Sequence, residues 1–418
     1  MLTALKFLLN TPCFIYFSNP GNECAAGCEA YLASGSSFSK QPTQPETQDD
    51  HTVLPSLDDQ AWQFGFISYD YKNLLENLHS SNPDHFRIPP SFFIKPRFVF
   101  GKKEGKWEVL QQSEGVEAQE LLGQLSETSP QNVSLPEPAP VSLRSRFSKS
   151  EYISRVYAIK KRIREGEIYE LNFCQEFFAL NTPIDPFLVY ERLSRISPAP
   201  FSAFCKFGDT FLISSSPERF LKKNGNMLLS QPIKGTRRRG STPEEDERLK
   251  TELLQDEKER AENVMIVDLV RNDLSRIAAK GTVQVDELFG LYTFEQVHQM
   301  ISTVSCELKR EATFEEIIRA TFPMGSMTGA PKIRAMQLIE EYETTRRGLY
   351  SGALGLISPQ GDFDFSVVIR SILYNETEKY LSFMVGSAIT DKSDPEQEYE
   401  ECLVKARGMM LALNAVLA

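Results

Sequence analysis

The 418-residue sequence contains no apolar run of eighteen residues, so it offers no membrane-spanning helix. It has no basic stretch long enough to follow a phosphate backbone. Its 46 Lys and Arg stand against 57 Asp and Glu, a formal charge of −11, which argues against a nucleic-acid binder. It carries no dinucleotide or P-loop fingerprint and no internal repeat. The seven cysteines are scattered; only Cys24 and Cys28 are close, and no second pair or histidine cluster completes a zinc site. Reduced cytosolic thiols are the expectation. The N-terminus, MLTALKFLLNTPCFIYF, faintly resembles a signal peptide. Lys6, Asn10, Thr11 and Pro12 interrupt it and no small-residue cleavage site follows, so Cys13 to Phe17 reads as a core strand of a cytoplasmic protein.

What is present fits a folded chain. Hydrophobic residues at 41% and charged residues at 25% suit a globular protein with a large core, in two or three lobes or one large two-lobed domain. Residues 32–59 are rich in Ser, Gln, Pro and Thr and read as a polar surface loop. Residues 1–125 form a first region, 126–145 a proline-rich linker and 146–418 a catalytic region. Ser148 to Gly166 reads as a helix with Ser148 as cap and Glu151 three residues on. Helices are also expected over 242–279, 313–321, 331–345 and 395–417. Strands are expected over 167–179, 201–221, 352–358, 363–373 and 380–389. Consecutive strand pairs near the C-terminus favour antiparallel sheets with helices outside.

Carboxylates give the first chemical signal. Glu259 and Glu262 are three apart on a helix that turns apolar after Asn263, and Glu398 and Glu401 repeat the spacing. The pairs read either as two halves of a Mg²⁺ site or as solvated helix faces. GSMTGAPK, from Gly325 to Lys332, runs from a loop into a helix, with exposed amides for an anion or simply a cap. VGSAITDKSDP gives a similar turn after a strand. Arg370, in the strand DFSVVIRSI, is a carboxylate clamp or a structural ion pair. Glu218 and Lys234 sit on two strand ends joined by a hairpin at Asn224 and Gly225. Ile233 and Gly235 flank the lysine, which predicts a depressed pKa and a nucleophilic amine, with Glu218 as proton partner; the alternative is a solvent-facing lysine.

Taken together, SSSPERF, PIKGTRRRG, DEKERAENVMIVDLVRNDL, FPMGSMTGAPKIRAMQLIEEYE, RRGLYSGALG, VVIRS and the closing ExxExxxKA resemble the chorismate-utilising enzymes. The family implies an α+β fold: a two-lobed sandwich of antiparallel sheets with helices packed outside. It implies that Glu259, Glu262, Glu398 and Glu401 surround Mg²⁺, which holds the ring carboxylate of chorismate. It implies that Arg370, Tyr350 and the amides of Gly386 and Ser387 bind the enolpyruvyl carboxylate. Thr236, Gly325, Ser326 and Thr328 would line the cavity, His298 would stand beside the ring, and Glu218 would serve the C4 hydroxyl as general acid/base. Within the family, PIKGT resembles the aminodeoxychorismate-forming members, whose lysine is thought to attack C2; anthranilate-forming members usually read PIAGT. Glu170 stands where amino-transferring members often have glutamine and water-adding members lysine. That speaks against isochorismate or salicylate synthesis. No glutamine amidotransferase motif is found, so the resemblance implies ammonia from a separate glutaminase subunit. The rival readings are an anthranilate-forming enzyme and a non-catalytic chorismate-binding subunit.

Overall fold

A computed structural model describes residues 8–9, 11–18, 27–35, 54–113, 118–126, 135–295 and 297–418. Two large sheets dominate it. The first runs in the spatial order 415–417, 141–145, 170–179, 380–389, 371–375, 210–216, 201–207, 13–18, 30–35, 98–103 and 106–112. The second runs 233–238, 297–307, 227–231, 219–224, 363–367, 353–357, 63–67 and 91–94. Pairing is antiparallel except where 415–417 lies parallel to 141–145. The N-terminal segment therefore supplies strands to both sheets and pairs directly with the catalytic region, as where Cys13–Ser18 joins Phe201–Phe207.

Side-chain alternation builds three apolar layers. Phe14 and Tyr16 point under the helices that cover the first sheet, Lys149–Arg164, Pro186–Ile196, Lys332–Tyr342 and Pro395–Ala412. Cys13, Ile15 and Phe17 point the other way, against Phe64, Phe66 and Leu354 of the second sheet. The second sheet is backed by Glu257–Ser275 and Phe314–Thr321 through Ile266, Val270, Ile317 and Phe365.

Several expectations hold. Cys13–Ser18 is a core strand, and Ser148 and Glu151 form a reciprocal capping box. Others are corrected. Leu32 to Gly35 is not loop but part of the buried strand Ala30–Gly35, where the small Ser34 donates to the Cys13 carbonyl at 3.0 Å. The rest of that loop up to 53 lies outside the described residues, as do Cys24 and linker residues 127–134. The helix expected over 242–279 is two, Pro243–Gln255 and Glu257–Ser275, because extended Asp256 breaks it and caps the second through the Glu259 amide. The strand expected over 363–373 breaks at 368–370, where the chain crosses from one sheet to the other. Gly386 and Ser387 lie within the ten-residue strand Tyr380–Ile389, not in a turn. Any side chain at Gly386 would collide with Cys174 Sγ and Asn172 Oδ1 on the neighbouring strand.

Candidate active site

The hairpin Arg219–Asn224/Met227–Gln231 brings Glu218 near the strand Ile233–Arg238. Against its partner that strand carries one extra residue between Ile233 and Thr236. Gly235 supplies the required φ of +87°. This bulge turns Lys234 inward. Its side chain is 11% exposed, with Nζ 3.0 Å from Glu170 Oε1 and 3.8 Å from Glu262 Oε2. Burial alone would lower its pKa, but Glu170, Glu262 and Glu218 outweigh burial and raise it. The depressed lysine expected from its sequence neighbours is thus corrected: its neighbours in space are carboxylates.

Glu218 is buried and accepts a 2.6 Å hydrogen bond from Ser326 Oγ. Burial pushes its carboxyl up to about 7, against the opposing pull of Ser326, Lys234 and the Ile233 backbone. Arg370 lies at the sheet crossing with φ +49°, not on a strand, and its guanidinium has no hydrogen-bond or ion-pair partner among the described residues. Burial lowers its pKa and the nearby Glu218 charge opposes that shift. An unpartnered guanidinium beside a carboxyl whose pKa is raised by burial is suited to an anion.

The acidic residues sit on two helices facing each other. Lys258 Nζ lies between Glu398, at 3.2 Å, and Glu262, at 3.8 Å. Glu262 is buried, and its Oε1 has no hydrogen-bond partner among the described residues, Lys258 at 3.8 Å being too far to donate. Burial pushes the Glu262 carboxyl up to about 7, and burial with the charge of Glu401 raises that of Glu259. Glu401 is held below its usual range: burial opposes ionisation, but Lys405 at 2.7 Å outweighs it. No three His, Cys, Asp or Glu among the described residues form a metal-holding group by themselves. The Glu262 oxygen without a hydrogen bond and the ammonium bridging two glutamates fit a magnesium ion that keeps water and substrate oxygens.

The remaining expected residues divide. Gly325, Ser326 and Thr328 are buried in a tight turn rather than exposing amides; the Thr328 amide donates back to Gly325, and Asn172 donates to the Ser326 carbonyl. Gly235 and Thr236 run past Glu259, whose Oε2 would lie 3.3 Å from a side-chain carbon at Gly235. Tyr350 is buried with its hydroxyl 3.6 Å from Cys174 Sγ. Gly386 offers its carbonyl to Lys405 at 2.8 Å, while the Ser387 hydroxyl turns to Tyr152 under the outer helices. His298 is fully buried, and its two ring nitrogens meet Asp246 at 2.8 Å and Thr293 at 3.0 Å rather than any of these residues. A cavity beside Tyr350 is lined by His85, Glu176, Arg347 and Ser382; Lys234, Glu218 and Glu170 are not among its walls. Sequence reasoning missed Lys258 and Lys405, although each stands four residues from a glutamate on its helix.

Comparison with known proteins gives a consistent picture. The model of the family described as chorismate binding enzyme matches residues 11–411. The aminodeoxychorismate synthase of Streptomyces griseus is 45% identical over 277 residues, 66% of this chain but only 38% of that relative. The aminodeoxychorismate synthase component 1 of Bacillus subtilis is 35% identical over 386 residues, 88% of this chain and 80% of the relative. The crystal structure of anthranilate synthase component I from Streptococcus pneumoniae superposes with a TM-score of 0.74 at 28% identity, covering 96% of this chain and 90% of that one.

Proposed function

This chain belongs to the chorismate binding enzymes, and on that premise we propose that it converts chorismate and ammonia into 4-amino-4-deoxychorismate, the precursor of p-aminobenzoate and folate. One observation carries the reading: the bulge at Gly235 delivers a buried amine, Lys234, to a cluster of carboxyl groups that includes Glu218, whose pKa burial raises to about 7. In this reading Lys234 attacks C2 of chorismate. Glu218 gives its proton to the C4 hydroxyl, which leaves as water. Ammonia then adds at C4 and expels the lysine. Because Lys234 is held charged, its proton must pass first to a carboxylate, and Glu170 at 3.0 Å is the nearest. Tyr350 and Arg370 receive the enolpyruvyl carboxylate, with the amides of Gly386 and Ser387. Thr236 and the Gly325–Thr328 turn shape the cavity, and His298, oriented by Asp246, backs the ring.

Glu259, Glu262, Glu398 and Glu401 would hold Mg²⁺. Bound there, the ion supplies positive charge for the ring carboxylate. The expected result is loss of turnover in excess chelator and in Glu262→Gln, with the fold unchanged by circular dichroism. Ammonia would come from a separate glutamine amidotransferase subunit, with free ammonium as a substitute, and the work would be done in the cytoplasm. No described helix is long and apolar enough to cross a membrane, and the described cysteines form no disulfide with one another. The deciding experiment incubates the chain with chorismate, ammonium chloride and Mg²⁺ and identifies the product by mass and absorbance. Aminodeoxychorismate supports the reading; anthranilate as the product overturns it.

A further inference from the structure

Two stretches of backbone cross between the sheets side by side. One leaves Thr210–Ser216 in the first sheet and enters Arg219–Asn224 in the second. The other leaves Phe363–Val367 in the second sheet and enters Ser371–Asn375 in the first. The flanking strands pair antiparallel, with Ser214 opposite Ser371 and Arg219 opposite Ser366. Between those points the regular ladder lapses, and the two crossings carry Glu218 and Arg370. Three consecutive buried serines join them instead. The Ser215 amide donates to the Arg370 carbonyl at 3.2 Å, and Ser214 Oγ accepts from Ser371 Oγ at 2.8 Å. Ser216 Oγ donates to the Val367 carbonyl at 2.6 Å and accepts from the Glu218 amide at 3.3 Å. The Val367 amide donates in return to the Glu218 carbonyl at 3.0 Å. The same Val367 carbonyl accepts from the Ile369 amide, in the tight turn that leads into Arg370 at φ +49°. Pro217 brings no amide to the junction, so the hydroxyl beside it stands in for a backbone donor.

We propose that Ser216 is a positioning residue whose hydroxyl sets the general acid Glu218 and the carboxylate clamp Arg370 in register. The inference rests on the roles given to those two residues above and adds what fixes their separation. Chorismate must meet both at once, its C4 hydroxyl on Glu218 and its enolpyruvyl carboxylate on Arg370. The two groups lie on different crossings, so only the joints between the crossings hold them to the span of one substrate. A backbone in the left-handed region, as at Arg370, also persists only where its surroundings fix it.

The test compares Ser216→Ala with Ser34→Ala. Ser34 also donates a buried hydroxyl to a backbone carbonyl, that of Cys13 at 3.0 Å, on a strand separated from Thr210–Ser216 by two others. Both variants should lose a similar amount of stability, read as the urea midpoint. Turnover is then followed as chorismate consumed, at saturating ammonium and Mg²⁺. Only Ser216→Ala should change, with KM for chorismate up about tenfold and kcat down about tenfold. Unchanged constants in Ser216→Ala overturn the proposal. An equal kinetic loss in Ser34→Ala overturns it too, since the effect would then be lost stability alone. Should Ser216→Ala not fold, Ser216→Cys, which keeps the volume with a weaker donor, is measured against the same two outcomes. A wild-type chain that consumes chorismate but releases anthranilate overturns the amination proposed above and leaves the register standing; one that consumes none overturns both.

Discussion

Two groups of buried charges lie a few residues apart in this fold and are built on opposite lines. In the first, Arg347 and Glu343 pair through Nη2–Oε1 at 2.6 Å and Nε–Oε2 at 2.9 Å. Each guanidinium nitrogen of Arg347 and each carboxylate oxygen of Glu343 has a partner. Arg347 also donates to the carbonyls of Met327 and Asn172, and Glu343 also accepts from the Cys174 amide. In the second, half-buried Arg370 has no side-chain partner among the described residues, Glu170 buries an oxygen with no hydrogen bond, and Glu262 Oε1 meets only Lys258, at 3.8 Å. Unequal satisfaction distinguishes a structural ion pair, closed on itself, from a group left open to a ligand. The closed pair also locks strand 170–179 and the Gly325–Met327 turn, the two segments that deliver Glu170 and Ser326 to the open group.

The comparison breaks first on activity. Lys234→Ala should lower turnover of chorismate at saturating ammonium by about a thousandfold or more, since a tethered amine is lost. The variant should remain folded by near-ultraviolet circular dichroism. Arg347→Ala should do the reverse. It strands a buried carboxylate and should cost about 3–5 kcal/mol in urea unfolding, with activity failing only because the fold does.

A subtler expectation concerns Glu218. Its carboxyl is raised from 4.5 to about 7, so the folded chain binds that proton more tightly than the unfolded one. Stability from this group is complete below the unfolded value and is lost as pH rises toward the folded one. Glu218→Gln removes the penalty. The variant should therefore gain up to about 3 kcal/mol on the wild type at pH 8 and much less at pH 5, measured by thermal unfolding. Its turnover should nonetheless fall about a hundredfold or more. In the wild type, kcat/KM should decline above pH 7 as the acid form is depleted. The smallest effect belongs to the cap: Asp256→Ala should cost about 1 kcal/mol and loosen Glu259, with a modest rise in the Mg²⁺ requirement.

How much of this was legible follows from the kind of signal each residue leaves. The capping box at Ser148 is local and readable, and so is the hairpin at Asn224 and Gly225. The break at Asp256 was hidden because an acidic residue suits a helix surface and a cap alike. The strand Gln284–Thr293 was missed because its residues are mostly exposed and show no alternation to read. Lys234 shows the limit most clearly. Its chain neighbours Ile233 and Gly235 suggested an apolar pocket, whereas the charges that govern it come from residues 170, 218 and 262. The Arg347–Glu343 pair was present within recognised motifs, but only the third dimension shows that each of its charged atoms is partnered.

The central claim is that the open group is a reaction centre with Lys234 as its nucleophile. The most direct measurement is the mass of the chain, and then of its peptides, after rapid acid quenching of a single turnover with chorismate and Mg²⁺ but no ammonium. The account predicts an added mass equal to chorismate less one water, on the peptide that carries Lys234 and absent from Lys234→Ala. Aminated product formed under matched conditions with ammonium, but with no adduct or with one on another residue, would contradict it.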